Sequence, residues 1–213
     1  MDRLLALFPL QTVLFPGAML PLHIFEERYK QMISRCIELK QPFGVVLIRE
    51  GQEVGDSAEP YEVGTTAAII HALRFSDGQM YIAAEGRARF RIQQTVQRAP
   101  YLIAAVELLD DEVSIEQRVQ ADRLCALYEE YRKAVTRATG AAQELADLPQ
   151  DPVAISFQLS AQLQVPHLSK QQLLEADLET RLESLAAALA DELRFLPPSS
   201  GTSPRPDNTW SLN

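Results

Sequence analysis

Cysteine, histidine and lysine are scarce in this sequence, with two, three and four copies in 213 residues. Cys36 and Cys125 belong to no C-x-x-C pair, and His23, His71 and His167 stand far apart, so the spacing of a metal site is missing. Both cysteines fall among apolar neighbours in helical patterns, which predicts buried free thiols. No glycine precedes a lysine, and a G-x-x-x-x-G-K-[ST] phosphate loop is therefore lacking. No serine sits in a G-x-S-x-G elbow, and Lys30, Lys40, Lys133 and Lys170 lack the local signature of an activated base. These absences argue against an enzyme, and no catalytic, metal-binding or cofactor-binding residue is assigned. Long apolar runs are lacking too. Nothing approaches the roughly 18 residues of a membrane span, and MDRLLALFPLQ is too short for a signal peptide. A cytoplasmic chain is expected. Positive charge is also in deficit: Lys and Arg number 20 against 29 acids, a net of −9. Residues 1–110 carry −2 of this and the remainder −7. That balance disfavours nucleic acid as a partner.

What is present centres on residues 7–33, LFPLQTVLFPGAMLPLHIFEERYKQMI. Pro9, Pro16 and Pro21 each fix φ and lack an amide donor, which disfavours helix and central strand. The residues between them are nevertheless large and apolar. A stiff, apolar loop is predicted, covered either by its own domain or by a ligand. From Phe25 the pattern becomes helical, with Tyr29, Met32, Ile33 and Ile37 on one stripe and Glu26 and Glu27 in the first turn.

A short strand over 4–8 precedes the loop. After the helix, strands are predicted over 43–49, 61–75, 80–84, 87–92 and 101–109, with a surface loop at 51–60. Asp77-Gly78 signals a hairpin, and Gly86 a bulge or bend. Arg87, Arg89 and Arg91 alternate onto one strand face. With no βαβ rhythm, these strands suggest an antiparallel, barrel-like sheet with one packed helix over 1–112. Composition shifts at Asp110-Asp111-Glu112, and residues 113–196 read as a helical lobe. Leu124, Leu127, Tyr128, Tyr131 and Val135 stripe its first helix, which Thr139-Gly140 ends. Asp151 caps the next helix, with Pro152 at its first position. Ser169 and Gln172 read as a capping box. Leu178, Leu182, Leu185, Leu189 and Leu193 line a final helix that Pro197 and Pro198 stop. The tail 197–213 is Ser/Pro/Gly-rich and should be disordered.

The motif FPL-x-x-V-L-FPG-x-x-LPLHIFE-x-RY, from Phe8 to Tyr29, resembles the opening of the Lon protease N-terminal, or substrate-binding, domain. The similarity continues through VGTTAAI, GRARFRI, PYLIAAVELLDDE and the helical half, covering nearly all of residues 1–196. It implies an α+β fold, a PUA-like barrel followed by a helical bundle, and a role in recognising polypeptide. It also implies a stand-alone member without the ATPase and peptidase modules. Unfolded or extended polypeptide is then the expected partner, with a protease or chaperone as a further one and weak self-association left open.

Phe15, Met19, Leu20 and Phe25 are the candidate lining of a peptide groove, with Glu26, Glu27 and Arg28 as polar anchors. The competing explanation is packing: the apolar residues close the sheet and dock the helical half, and the charged ones form first-turn ion pairs. The Arg87/Arg89/Arg91 face has its own pair of explanations, an RNA surface or a strand face paired with acids of the helical half. Three arginines without clustered aromatics make a weak stacking platform. An RNA-binding PUA-like module and a structural or oligomerising adaptor are the alternatives to polypeptide recognition.

Overall fold

The computed structural model describes residues 3–52, 58–139 and 148–196. Among these residues six strands come first: β1 (Arg3–Leu10), β2 (Met19–Ile24), β3 (Phe43–Glu50), β4 (Glu59–Arg74), β5 (Met80–Gln97) and β6 (Leu102–Leu109). Helix α1 (Glu27–Leu39) lies between β2 and β3. Four helices follow among the described residues: α2 (Ile115–Thr139), α3 (Pro152–Gln162), α4 (His167–Glu175) and α5 (Leu178–Phe195). Gly140 and the tail 197–213 lie outside the described residues, as does part of the predicted 51–60 loop.

Two prolines expected in an irregular loop lie in strands instead. β1 pairs with β6 only from Arg3 to Leu7 and with β3 from Leu7 to Leu10, so Pro9 has a strand on one side alone. β2 contains Pro21 and, among the described residues, pairs only with β5. Proline is tolerated where no second neighbour needs its missing N–H. The irregular segment shrinks to residues 11–18.

The sheet order is β2-β5-β4-β3-β1-β6, and β5 pairs with β6 as well, so that five of the six strands return upon themselves. One expectation is corrected: β1 and β3 run parallel, not antiparallel. The chain between them passes through β2 and α1, a connection long enough to cross over the sheet. The segments expected around Gly86 are one strand of 18 residues, with a bulge where Thr65↔Arg89 gives way to Ala67↔Gly86. Thr66 serves that bulge: its hydroxyl donates to the Ala88 carbonyl (3.1 Å) and accepts from the Ala88 N–H (3.0 Å). Gly86 is required for another reason. Any Cβ there would lie 2.2 Å from the Phe15 carbonyl oxygen, because the 11–18 segment hydrogen-bonds to it through Gly17 N–H and the Ala18 carbonyl.

Helix α1 lays Tyr29, Met32, Ile33 and Cys36 on the sheet, against Phe8, Ile24, Phe43, Met80 and Ile82. A second core forms where Leu124, Tyr128, Ile155, Leu182 and Leu185 meet among α2, α3 and α5. The Asp151 side chain accepts from the Ala154 N–H at 2.8 Å with Pro152 at the helix start, as the sequence predicts. The predicted capping box is corrected. α4 begins at His167 after Pro166, which places Ser169 inside the helix. A reciprocal box occurs at α2 instead, where Ser114 and Gln117 exchange bonds of 2.8 and 3.2 Å.

Candidate functional site: an exposed aromatic face on the β2-β5-β4 ribbon

The residues of the 7–33 stretch separate into two groups. Phe15, expected to line a groove, is only 1% exposed and belongs to the core. It packs with Val63, Leu173, Leu174 and Phe157, whose ring lies 6.3 Å away, and so fastens α3 and α4 to the sheet. Leu20 is half-buried against the core beneath α1. Met19 and Phe25, by contrast, are 54% and 51% exposed. The charged trio is engaged locally. Arg28 pairs with Glu26 at 3.0 Å and lies 4.5 Å over the Tyr29 ring, while Glu27 meets Lys30 at 2.7 Å. The 7–33 candidates therefore do not converge as one set; packing accounts for Phe15 and ion pairing for Glu26, Glu27 and Arg28.

Met19 and Phe25 belong to a surface that continues onto other strands. Paired residues of antiparallel strands share a sheet face. The register His23↔Tyr81↔Leu73 therefore sets three outward side chains in one row, and Pro21↔Ala83↔His71 sets the next. The His23 and Tyr81 rings stack at 4.4 Å. Phe75 meets Tyr81 edge-on at 5.5 Å, and Phe25 lies 5.6 Å from His23. Leu73 is 59% exposed and Tyr81 52%. Gln79 hydrogen-bonds the His23 ring, and its own N–H donates to Asp77 across the hairpin turn. The result is a contiguous apolar and aromatic face built on paired strands. It can offer stacking and apolar contact with few directional anchors. Sequence reasoning missed Tyr81, Leu73, Phe75 and His23. The signal available was the alternation of Met19, Pro21 and His23, which treating 11–24 as loop conceals.

The three arginines of β5 do not form one basic face. Arg87 is exposed and paired with Glu85 at 2.8 Å, and Arg91 is exposed. Arg89 is buried. It donates to the Leu174 and Ala176 carbonyls (2.7 and 2.9 Å) and to Asp111 (2.8 Å). The other Asp111 oxygen takes Arg181 of α5 at 2.9 Å. Arg181 also donates to Ser156 and to the Ala176 carbonyl, and lies 4.0 Å over the Phe157 ring. Burial pushes the Arg181 guanidinium below its usual range, and the Asp111 carboxylate opposes that shift. With the bond from Gln171 to the Val63 carbonyl, this cluster ties the helices to the sheet. A cleft of about 860 Å³ runs between Pro16, Arg87 and α3, with Phe157 in its wall. Cys36 and Cys125 are free, and burial raises both thiols, Cys36 to about 11. Among the described residues no helix is long and apolar enough to cross a membrane.

The fold and much of the sequence have known counterparts. The crystal structure of a Lon N-terminal domain protein from Xanthomonas campestris matches 87% of this chain and 98% of its own, at 27% identity and a TM-score of 0.63. The N-terminal domain of the Mycobacterium avium complex Lon protease gives a TM-score of 0.66 at 17% identity, over 89% of this chain and 99% of that one, a likeness of fold. Lon protease 2 of Myxococcus xanthus is 31% identical over 85% of this chain, and the Lon protease of Anaeromyxobacter dehalogenans 30% over 84%. The chain spans about a quarter of the length of these two relatives, 23% and 22%. The profile of the ATP-dependent protease La (LON) substrate-binding domain matches residues 5–191, and the chain belongs to that family.

Proposed function

We propose that this chain recognises protein substrates, without catalysing their cleavage, by taking an extended apolar segment onto the outer face of the β2-β5-β4 ribbon. The observation that carries this is the contiguous exposure of Met19, Phe25, Leu73, Phe75 and Tyr81 around the His23–Tyr81 stack. Soluble domains seldom leave such a patch uncovered without a partner for it. Covering it removes apolar surface from water, worth roughly 2.5 kcal/mol per 100 Å² before association costs. The face stands on paired strands, so little order has to be imposed when a ligand docks. With few polar anchors it accepts many sequences, which suits a family named for binding substrates. Affinity is on the order of micromolar, as for small, permissive contacts. Nucleic acid suits the face less well. The chain is at −9, and Arg89, central to the basic-strand reading, is occupied by Asp111. The returning strand order supports the PUA-like barrel over 1–112, with helices over 113–196 as a second lobe.

The test compares wild type with Tyr81→Ser and Phe25→Ser in binding a permanently unfolded model polypeptide. Both side chains are about half exposed, so thermal midpoints should hold while binding falls at least fivefold. Unchanged affinity in both variants refutes the assignment.

A further inference from the structure

Among the described residues the same ribbon has an unpaired edge. β3 pairs with β4 no further than Phe43↔Ala67, because Pro42 and the end of α1 precede Phe43. β4 continues to Arg74, and over 68–74 its neighbour is β5 alone. Backbone groups pointing away from β5 there meet no strand among the described residues. An open edge is a template for a further strand, which proteins usually block with proline, lysine or a bulge. This one reads AIIHALR; it has a register shift between Ile69 and His71, but no proline and no charge before Arg74.

Beside the edge lies a groove of about 570 Å³, closed on its far side by the last turn of α1. Among the described residues, the charged ones that line it are Arg3, Lys40 and Arg87, and no acid does. Glu85 engages Arg87, whereas Arg3 and Lys40 are exposed and make no ion pair among the described residues. In a chain of net charge −9, a groove lined by cations alone selects an occupant of opposite sign.

We propose that this groove binds an extended, acidic segment of a second polypeptide, added to the 68–74 edge of β4 as a further strand. Backbone pairing holds the segment, and its carboxylates meet Arg3 and Lys40. An edge of seven residues at about 3.3 Å each accommodates a strand of about 23 Å. The two sites share His71 and Leu73 of β4, but this one uses the backbone edge and the cations beside it, whereas the aromatic face works through side chains on the flat of the ribbon, so either assignment can fail without the other.

The probe is a dye-labelled heptapeptide alternating valine and glutamate. Its controls are the valine–lysine heptapeptide and a valine–glutamate version N-methylated at consecutive residues, which blocks both of its edges. Anisotropy titrations at low salt should show binding of the first peptide alone. Arg3→Glu combined with Lys40→Asn should weaken it about tenfold, an effect that added salt erases. Asparagine suits position 40, where φ is +50°. Tyr81→Ser, which removes the aromatic stack, should leave this peptide's affinity unchanged. Equal binding of the lysine or N-methylated peptide, loss in Tyr81→Ser but not in the Arg3/Lys40 variant, or failure of the first peptide to bind each overturns the proposal.

Discussion

Replacing Asp111 with alanine should be among the most damaging single changes in this chain. Its carboxylate is 5% exposed and gives one oxygen to Arg89 at 2.8 Å and the other to Arg181 at 2.9 Å. The two guanidiniums are 5% and 0% exposed, so water cannot replace the lost partner. Carbonyls of Leu174 and Ala176 and the Ser156 hydroxyl would still accept from them, but the two buried positive charges would keep no carboxylate bonded to them, only the weaker field of the exposed Asp177. Breaking one partner out of a buried ion pair removes about 3–5 kcal/mol. Total stability for a domain is about 5–15 kcal/mol, so this is a large share. At roughly 2–4 °C per kcal/mol for a chain of this size, the thermal midpoint should drop by about 6–20 °C. Calorimetry or circular dichroism reads this directly. A companion variant tests the cause: Arg89→Met, Asp111→Leu and Arg181→Met together replace the cluster by apolar groups and should recover most of the loss. A midpoint within about 2 °C of wild type for Asp111→Ala would refute the role given to this cluster.

Other expectations follow from single contacts. Phe15→Ala should lose about 3–5 kcal/mol in denaturant unfolding, as a buried aromatic at the junction of sheet and helices must; a loss under about 1 kcal/mol would mean that Phe15 does not hold the helices. Asp177 accepts the Thr180 N–H at 2.8 Å, and that backbone bond holds its carboxyl below the ordinary range. Its contribution should be complete above the unfolded carboxylate range and fade as pH falls through the lower folded value. The midpoint gap between wild type and Asp177→Ala should therefore shrink between about pH 5 and pH 2; a constant gap contradicts the cap. Cys36, with its thiol raised to about 11 by burial, should resist alkylation at about pH 8 in the folded protein and react in denaturant; rapid reaction of the native thiol argues against its burial.

Helices and most strands were legible because their signals are local. The α1 stripe, the Asp151-Pro152 start and the leucine ladder of α5 all depend on spacing within a few residues. What escaped depended on partners distant in sequence. Pro9 and Pro21 could be placed in strands only once each was known to lack a second neighbour. Arg181 sits within the apolar stripe of α5 and is fully buried only because Asp111, 70 positions earlier, meets it. The capping box was misplaced because Ser169 and Ser114 offer the same local pattern, and the position of Pro166 decides where α4 begins. Phe15 and Met19 are both apolar, and the sequence could not say which would face Phe157 and which water. The aromatic face was invisible for the same reason: β2, β4 and β5 assemble it from residues spread between Met19 and Tyr81.

Photo-crosslinking from two positions tests substrate recognition by that face most directly. A crosslinking residue placed at Tyr81 should capture an unfolded model polypeptide, with an apolar competitor peptide suppressing capture. The same residue at exposed Val96, on the far part of β5, should capture little. Equal capture at both positions, or capture at 96 alone, would contradict substrate recognition by the β2-β5-β4 face.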